Sequence, residues 1–178
     1  MHNDAKWYAL RVRSRCEKLT GKHLVNTGYQ VCTACAPQRR VWADRIRCVE
    51  MPVFPGYIFA RFDPAQGPNI LRAPGIVSIV GFGTSYHPVE DAEIDALNIV
   101  LRSGIEVRRE PTVHPGTRVR VRYGPLRGLE GVLVQFKTQH RLVVSVTLLQ
   151  RSVAVEIDDL MIEAASPWPA TRASGSAS

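Results

Sequence analysis

Four cysteines, Cys16, Cys32, Cys35 and Cys48, lie in the first half of a 178-residue chain. Cys32-Thr33-Ala34-Cys35 has the spacing of half a zinc site or of a dithiol redox pair. A tetrahedral site would need two more ligands, with Cys48 and His23 as candidates, but the sequence holds no second close pair. On a strand, Cys32 and Cys35 would point to opposite faces, because side chains alternate. The simpler reading is four small apolar side chains, and no metal site and no cofactor are expected. Their crowding into one half excludes a disulfide framework spanning the chain. The five histidines (His2, His23, His87, His114 and His140) are scattered. Asp158-Asp159 reads as a turn or cap. No glycine-rich phosphate loop, His-Glu-x-x-His or Gly-x-Ser-x-Gly is present, and no nucleophile–base pair is visible. The chain is not expected to be an enzyme.

Other residue groups suit binding. Gln38 to Arg47 sets Arg39, Arg40, Arg45 and Arg47 around Trp42. Basic groups beside an aromatic suit phosphate contacts and base stacking, while an edge hairpin kept soluble by charge is the plainer alternative. Arg15, Lys18 and Lys22 form a stripe at helical spacing, which is either a solvated face or a polyanion contact. Val53-Phe54-Pro55-Gly56-Tyr57 puts a large ring just before a strand, either as core or as an anchor for a partner protein. Leu148-Leu149-Gln150-Arg151 places two leucines at a hairpin end, where a partner or the core must cover them. In the second half, Arg118, Arg120 and Arg122 alternate with valines. The formal charge of +7 favours a polyanionic partner. It divides as +4 over residues 1–104 (13 basic, 9 acidic) and +3 over 105–178 (10 basic, 7 acidic), so neither half is a dedicated basic tail.

The elements that position these groups follow from periodicity. Trp7–Val12 alternates as a strand, with Trp7, Ala9 and Arg11 on one face and Tyr8, Leu10 and Val12 on the other. Ser14-Arg15-Cys16-Glu17 has capping-box spacing before a helix that stops at Gly28. Tyr29–Ala36 reads as a strand ended by Pro37, and Gln38–Arg47 as an exposed hairpin or loop. Tyr57-Ile58-Phe59 is a buried strand with Pro55 at its first position. Asn69–Ala73 is a short helix or turn, Ile76–Phe82 a buried strand, and Glu90–Arg102 an amphipathic helix built on Ile94, Leu97 and Leu101. An α+β domain over residues 1–104 results, with two longer helices on an antiparallel-rich sheet. Residues 105–114 read as a linker. Residues 115–164 are short strands at regular spacing, as in a small closed barrel. Residues 165–178 lack periodicity and read as a disordered tail. No apolar run reaches the ~20 residues of a membrane span, and the N-terminus lacks a signal-like apolar core, so a cytoplasmic protein without a membrane partner is expected.

Several of these motifs, in this order, resemble the NusG family of transcription elongation factors. They are Trp7-Tyr8, Phe54-Pro55-Gly56-Tyr57, Ile76 to Phe82, His87-Pro88-Val89, Pro115 to Val121, and Gly124-Pro125-Leu126-Arg127-Gly128-Leu129-Glu130-Gly131. The last is similar to the KOW motif. The resemblance implies an NGN-type N-terminal domain followed by an SH3-like β-barrel (KOW) domain, acting as a monomer. It implies docking of the first domain on the clamp helices of the largest RNA polymerase subunit, through Arg11, Phe54, Pro55, Tyr57, Pro88 and Val89. The expected outcome is processive elongation at the expense of pausing or termination.

Specialised relatives such as RfaH also contact the exposed non-template DNA strand. The matching positions are Arg13 and His23, with Lys18 and Lys22 as helix neighbours; Arg39 and Arg40 join this nucleic-acid set from the arginine-rich hairpin. In housekeeping relatives the barrel binds the termination factor Rho or a small-subunit ribosomal protein. The corresponding residues are Leu148, Leu149, Gln150 and Arg151. Those relatives carry an aromatic and then a glycine where Leu149 and Gln150 stand, which argues against Rho and leaves the ribosomal contact. Arg45-Ile46-Arg47 and Val53 to Tyr57 look closer to the UpxY type of antiterminator. The valine-rich second half with Gly124, Gly128 and Gly131 disfavours helix, so a stable barrel without the refolding of RfaH is expected. The competing class is a KOW-containing RNA-binding or ribosome-associated protein without a polymerase role, resting on the +7 charge and the Arg118-Arg120-Arg122 stripe.

Overall fold

Alternation along one strand sets up two cores. In the computed structural model, which describes residues 5–42, 45–82, 85–110, 117–136, 139–157 and 162–164, β1 spans Lys6–Val12. Tyr8, Leu10 and Val12 enter one apolar cluster; Ala9, with Trp7 packed beside it, enters another. β5 (Tyr57–Phe62) pairs antiparallel with β1, from Lys6↔Phe62 to Arg11↔Tyr57. β2 (Gln30–Cys32) extends the sheet beyond β5, and β6 (Ile76–Ile79) and β9 (Pro88–Val89) share the other edge of β1.

α1 covers Glu17–Asn26. The expected capping box does not form: Cys16 is the N-cap, no side chain caps the helix, and Arg15 takes a left-handed φ of 66° just before it. Glu17 is instead buried, and its Oε1 accepts the Gly56 backbone N–H at 2.9 Å. Gly28 ends the helix region at φ 95°, where glycine carries no Cβ penalty.

The strand expected over 29–36 is broken. Ala34 adopts φ 47° between β2 and β3 (Cys35–Trp42), and its carbonyl accepts the Val53 N–H at 2.7 Å. Pro37 is inside β3, opposite Glu50 of β4 (Arg45–Pro52). β3 and β4 form a separate two-stranded ribbon, so a proline that donates nothing is tolerated on a free edge. Pro55 is not the first strand residue either. It sits in the turn Phe54–Tyr57, closed by the Tyr57 N–H on the Phe54 carbonyl at 3.0 Å, with Gly56 at φ 80°.

A short 3-10 turn, Pro64–Gln66, leads into α2 (Gly67–Leu71), which ends before the expected stop at Pro74-Gly75. The run expected as one buried strand, Ile76–Phe82, divides into β6 and β7 (Gly81–Phe82), the latter paired with β8 (Ser85–Tyr86). β6 is an edge strand, and Val77 and Phe82 are exposed. α3 (Asp91–Arg102) buries Ile94, Leu97 and Val100; Leu101, expected in that row, is only half-buried.

The second half forms a six-stranded antiparallel sheet in the order β10-β14-β13-β12-β11-β15. Its strands are β10 (Val107–Glu110), β11 (Thr117–Val121), β12 (Glu130–Phe136), β13 (Gln139–Val146), β14 (Arg151–Ile157) and β15 (Ile162–Ala164). The chain is thus an α+β protein with a C-terminal β domain, and that domain is made of strands rather than helices. Part of the expected linker is structured: Val107–Glu110 pairs with Val155–Ser152 of β14, because Val107 buries its side chain in the core. The expected tail, 165–178, and the Asp158-Asp159 pair lie outside the described residues. One apolar cluster runs from Phe54 and Phe59 through Ile94 and Leu97 of α3 to Leu142, Val144 and Val146 of β13, so the β domain packs on one face of the first sheet.

Candidate protein and nucleic-acid binding surfaces

Register decides which expected docking residues share a surface. Arg11 and Tyr57 are cross-strand partners, as are Trp7 and Val89, so all four occupy the face of Ala9 and Phe59. Phe54 joins the same cluster and meets Phe59 edge-on at 6.0 Å. Pro88 pairs with Tyr8 and belongs to the opposite face. Arg11, Pro55 and Pro88 are exposed and Tyr57 is half-buried, but Val89 and Phe54 are buried, Phe54 to 2%. The core alternative for Phe54 is the one observed in this arrangement.

What covers this face comes from the β domain. The Arg151 guanidinium lies over the Tyr57 ring at 5.0 Å. Glu93 of α3 accepts two bonds at one oxygen, Oε1: the Thr147 Oγ1 at 2.6 Å and the Thr147 backbone N–H at 3.1 Å. Thr147–Leu149 is a 3-10 turn, and Leu148 and Leu149 are half-buried against the shared cluster. The four residues expected to contact a partner of the barrel therefore sit in and beside the turn that folds back on the first sheet. Gln150 follows with φ 51° and ψ 38°, the left-handed conformation that a glycine would adopt freely. Its Nε2 donates to the Thr147 carbonyl at 2.8 Å, so the turn survives the absence of glycine.

A second surface is cationic. Arg13, Lys18, Lys22 and His23 are exposed at and along α1. Lys18 Nζ donates to Glu50 Oε2 of β4 at 2.7 Å, which ties the ribbon to the helix, and this bond raises the lysine pKa. Arg39 and Arg40 lie on β3 opposite Cys48 and Arg47; their side chains fall outside the described residues. Arg45 and Arg47 are exposed on β4. The β-domain stripe differs: Arg120 is bridged to Glu130 at 2.6 Å and Arg122 to Glu163 at 3.0 Å, and Arg118 is also engaged.

The cysteines form no cluster with chemistry. All four are free thiols, and burial pushes Cys32 up to about 11 and Cys35 upward as well, away from the reactive thiolate. Among the described residues no group of three or more His, Cys, Asp or Glu is placed to hold a metal. No helix among them is long and apolar enough to cross a membrane.

Residues 5–98, more than half of the chain, match the protein family described as transcription termination factor nusG. The chain belongs to the NusG family. It is 32% identical over 122 residues to the transcription termination/antitermination protein NusG of Escherichia coli K12, covering 65% of this chain and 67% of that one. The NusG of Pseudomonas aeruginosa is 30% identical over 120 residues, 64% of this chain and 67% of its own. A solved structure of Thermotoga maritima NusG superposes with a TM-score of 0.50 at 19% identity, covering 92% of this chain and 98% of that one, a likeness of fold. The family match spans the first sheet, α1, α2 and the first two turns of α3, and so includes the Arg11–Tyr57 face and the α1 surface.

Sequence reasoning missed Glu17, Glu93 and Thr147. Glu17 holds the turn that aims Phe54 and Tyr57; the other two hold the β domain in place. Each is half of a contact spanning 39 or 54 residues, for which spacing gives no signal.

Proposed function

We propose that this protein is a transcription elongation and antitermination factor that docks on the clamp helices of the largest RNA polymerase subunit and favours processive elongation over pausing or termination. The observation that carries this reading is the sheet face on which Arg11, Tyr57, Phe54 and Val89 come together, within the segment that matches the NusG family. Docking of this kind needs no bond chemistry. A factor that binds the closed clamp more tightly than the open one shifts that equilibrium by its differential affinity. Such a factor works in the cytoplasm.

The proposal assigns Arg11, Pro55 and Tyr57 to first contact, with Phe54 and Val89 beneath them. It treats the N-terminal sheet and the β domain as two modules joined near residues 103–106. Because Arg151 covers Tyr57 and the 147–149 turn is latched to Glu93, the β domain must swing away before polymerase docks. That movement frees Leu148, Leu149, Gln150 and Arg151 for a ribosomal protein partner. The α1 surface, with Arg13, Lys22 and His23, faces the non-template strand.

The test is pull-down of the purified protein with core RNA polymerase, comparing wild type with Arg11→Glu and Tyr57→Ala. Arg11 is exposed and Tyr57 is half-buried at the edge of the apolar cluster, whereas Phe54 is inside it. Loss of capture in both variants is expected; capture equal to wild type refutes the docking face. The RNA-binding alternative is disfavoured by the carboxylates that neutralise Arg120 and Arg122. It would be restored if RNA binding by the isolated protein depended on Arg118, Arg120 and Arg122.

A further inference from the structure

A cleft of about 720 Å³ lies beside the Glu93–Thr147 latch, between α3 and the face of β11, β12 and β13 that carries Arg118, Val132 and Val143. Its walls are apolar: Ala96 and Ile99 on the helix, Val132 and Val143 on the sheet. Glu90 and Asp95 are exposed on the α3 side. Arg118 and Arg120 stand on the other side, and Arg120 is bridged to Glu130. The last strand ends at the mouth of this cleft. Ala164 closes β15 opposite Val119, one residue short of Arg118. Arg118 is opposite Val132, and Val132 is opposite Val143. A row of cross-strand neighbours thus runs from the end of β15 to the apolar floor. Beyond Ala164 the sequence is small and polar, with a single aromatic, Trp168, between Pro167 and Pro169, and a single charge, Arg172.

We propose that this cleft is the seat of the chain's own Trp168, with Arg172 against Glu90 and Asp95. Reach permits it. Trp168 is four residues past Ala164, about 13–14 Å of extended chain, and Val132 is two strands from β15, about 10 Å. Size permits it too, since pockets of about 300–1,000 Å³ enclose groups larger than an indole. The segment around Trp168 has no apolar face of its own, so the cleft is where that ring can leave water. Pro167 and Pro169 restrict the chain on both sides of the ring, which lowers the entropy lost on docking. The charges match, carboxylates on α3 and a guanidinium four residues past the indole. A seated Trp168 bridges α3 and the β domain next to Thr147 and so reinforces the closed arrangement. This occupancy does not depend on polymerase docking, and its test fails separately from the pull-down.

The experiment is NMR of the isotope-labelled full chain, with the Trp168 indole signal assigned by its loss in Trp168→Ala. Nuclear Overhauser contacts from that ring to the methyls of Ile99, Val132 and Val143 are expected. Trp168→Ala should shift those methyls and leave Leu10 and Ile58, in the other core, where they are. Ala96→Trp fills the cleft from α3; it should abolish the contacts and move the Trp168 indole to its position in a synthetic Ser166–Arg172 peptide. Arg172→Glu sets like charges together and should move the indole part of the way there; an unchanged signal would remove Arg172 from the site. A wild-type indole already at the peptide position, without contacts to those methyls, overturns the proposal. Contacts between labelled and unlabelled chains in a mixed sample overturn it as well, because the ring would then come from a second copy. Trp168→Ala alters no residue of either core, so its result stands even if Ala96→Trp fails to fold.

Discussion

Replacing Glu93 by alanine should open the protein. Glu93 Oε1 receives both the hydroxyl and the backbone N–H of Thr147, at 2.6 and 3.1 Å, and these bonds join α3 to the β domain. Hydrogen bonds to charged groups reach about 1.5–3 kcal/mol, but water competes at this exposed pair, so the two together are worth about 1–2 kcal/mol. The Arg151–Tyr57 contact beside them adds about 0.5–1 kcal/mol and remains in the variant. Loss of the Glu93 bonds alone lowers the closing equilibrium constant roughly 5- to 30-fold. The apparent affinity for polymerase is the intrinsic affinity scaled by the open fraction. If the chain is mostly closed, Glu93→Ala should tighten polymerase binding by up to that same factor. The assay pairs a polymerase titration with amide NMR of residues 147–151, which should move toward solvent-exposed shifts in the variant. Thr147→Val removes only the hydroxyl bond and should give an intermediate effect. If Glu93→Ala leaves both the amide shifts and the polymerase affinity at wild-type values, the latch contributes nothing and the reasoning is refuted. Weakened binding would refute it differently, by placing Glu93 in the docking surface itself.

Three further outcomes are expected. Glu17→Ala should cost about 1–3 kcal/mol in urea unfolding, because the Gly56 N–H loses the carboxylate that accepts it in a half-buried turn, and Glu17→Gln should recover most of it; equal losses in both variants would show that the carboxylate's charge matters rather than the bond. Gly75→Ala should cost about 2 kcal/mol or more, since the residue holds φ 87° and a Cβ there would run into Thr20 Oγ1 and Cys16 Cβ; an unchanged melting temperature would contradict this. Burial holds the Cys32 thiol up at about 11 against an ordinary 9.0, so above pH 9 the unfolded chain ionises while the folded thiol stays neutral. Stability should therefore fall by roughly 2–3 kcal/mol between pH 9 and 11 through this group, and be unaffected by it below pH 9. Urea unfolding of wild type and Cys32→Ala checks this, and a stability gap that does not narrow as pH rises would count against it.

The sequence by itself determined what depends on neighbours along the chain. The alternation of Trp7 to Val12 divided β1 correctly between two cores, because strand geometry sends successive side chains to opposite faces whatever lies beyond them. Ile94 and Leu97 fixed the buried stripe of α3 by helical spacing, and valine with glycine made the second half a β domain. Local motif spacing failed where a second use of the same residue won. Glu17 had the position of a capping residue, but a turn 39 residues away offered a half-buried N–H, and a shielded unpaired donor costs more than an uncapped helix end open to water. Pro37 marked a strand end only if its strand had neighbours on both sides, and the separate ribbon gave it a free edge. The binding surfaces were half legible. Arg11, Phe54, Tyr57 and Arg151 were visible as residues whose types suit contacts, yet only tertiary packing decided that Arg151 lies on Tyr57 and that Phe54 is buried beneath them. Partners of that kind are set by how two separately patterned sheets bury their remaining apolar faces against each other, a choice that no local period contains.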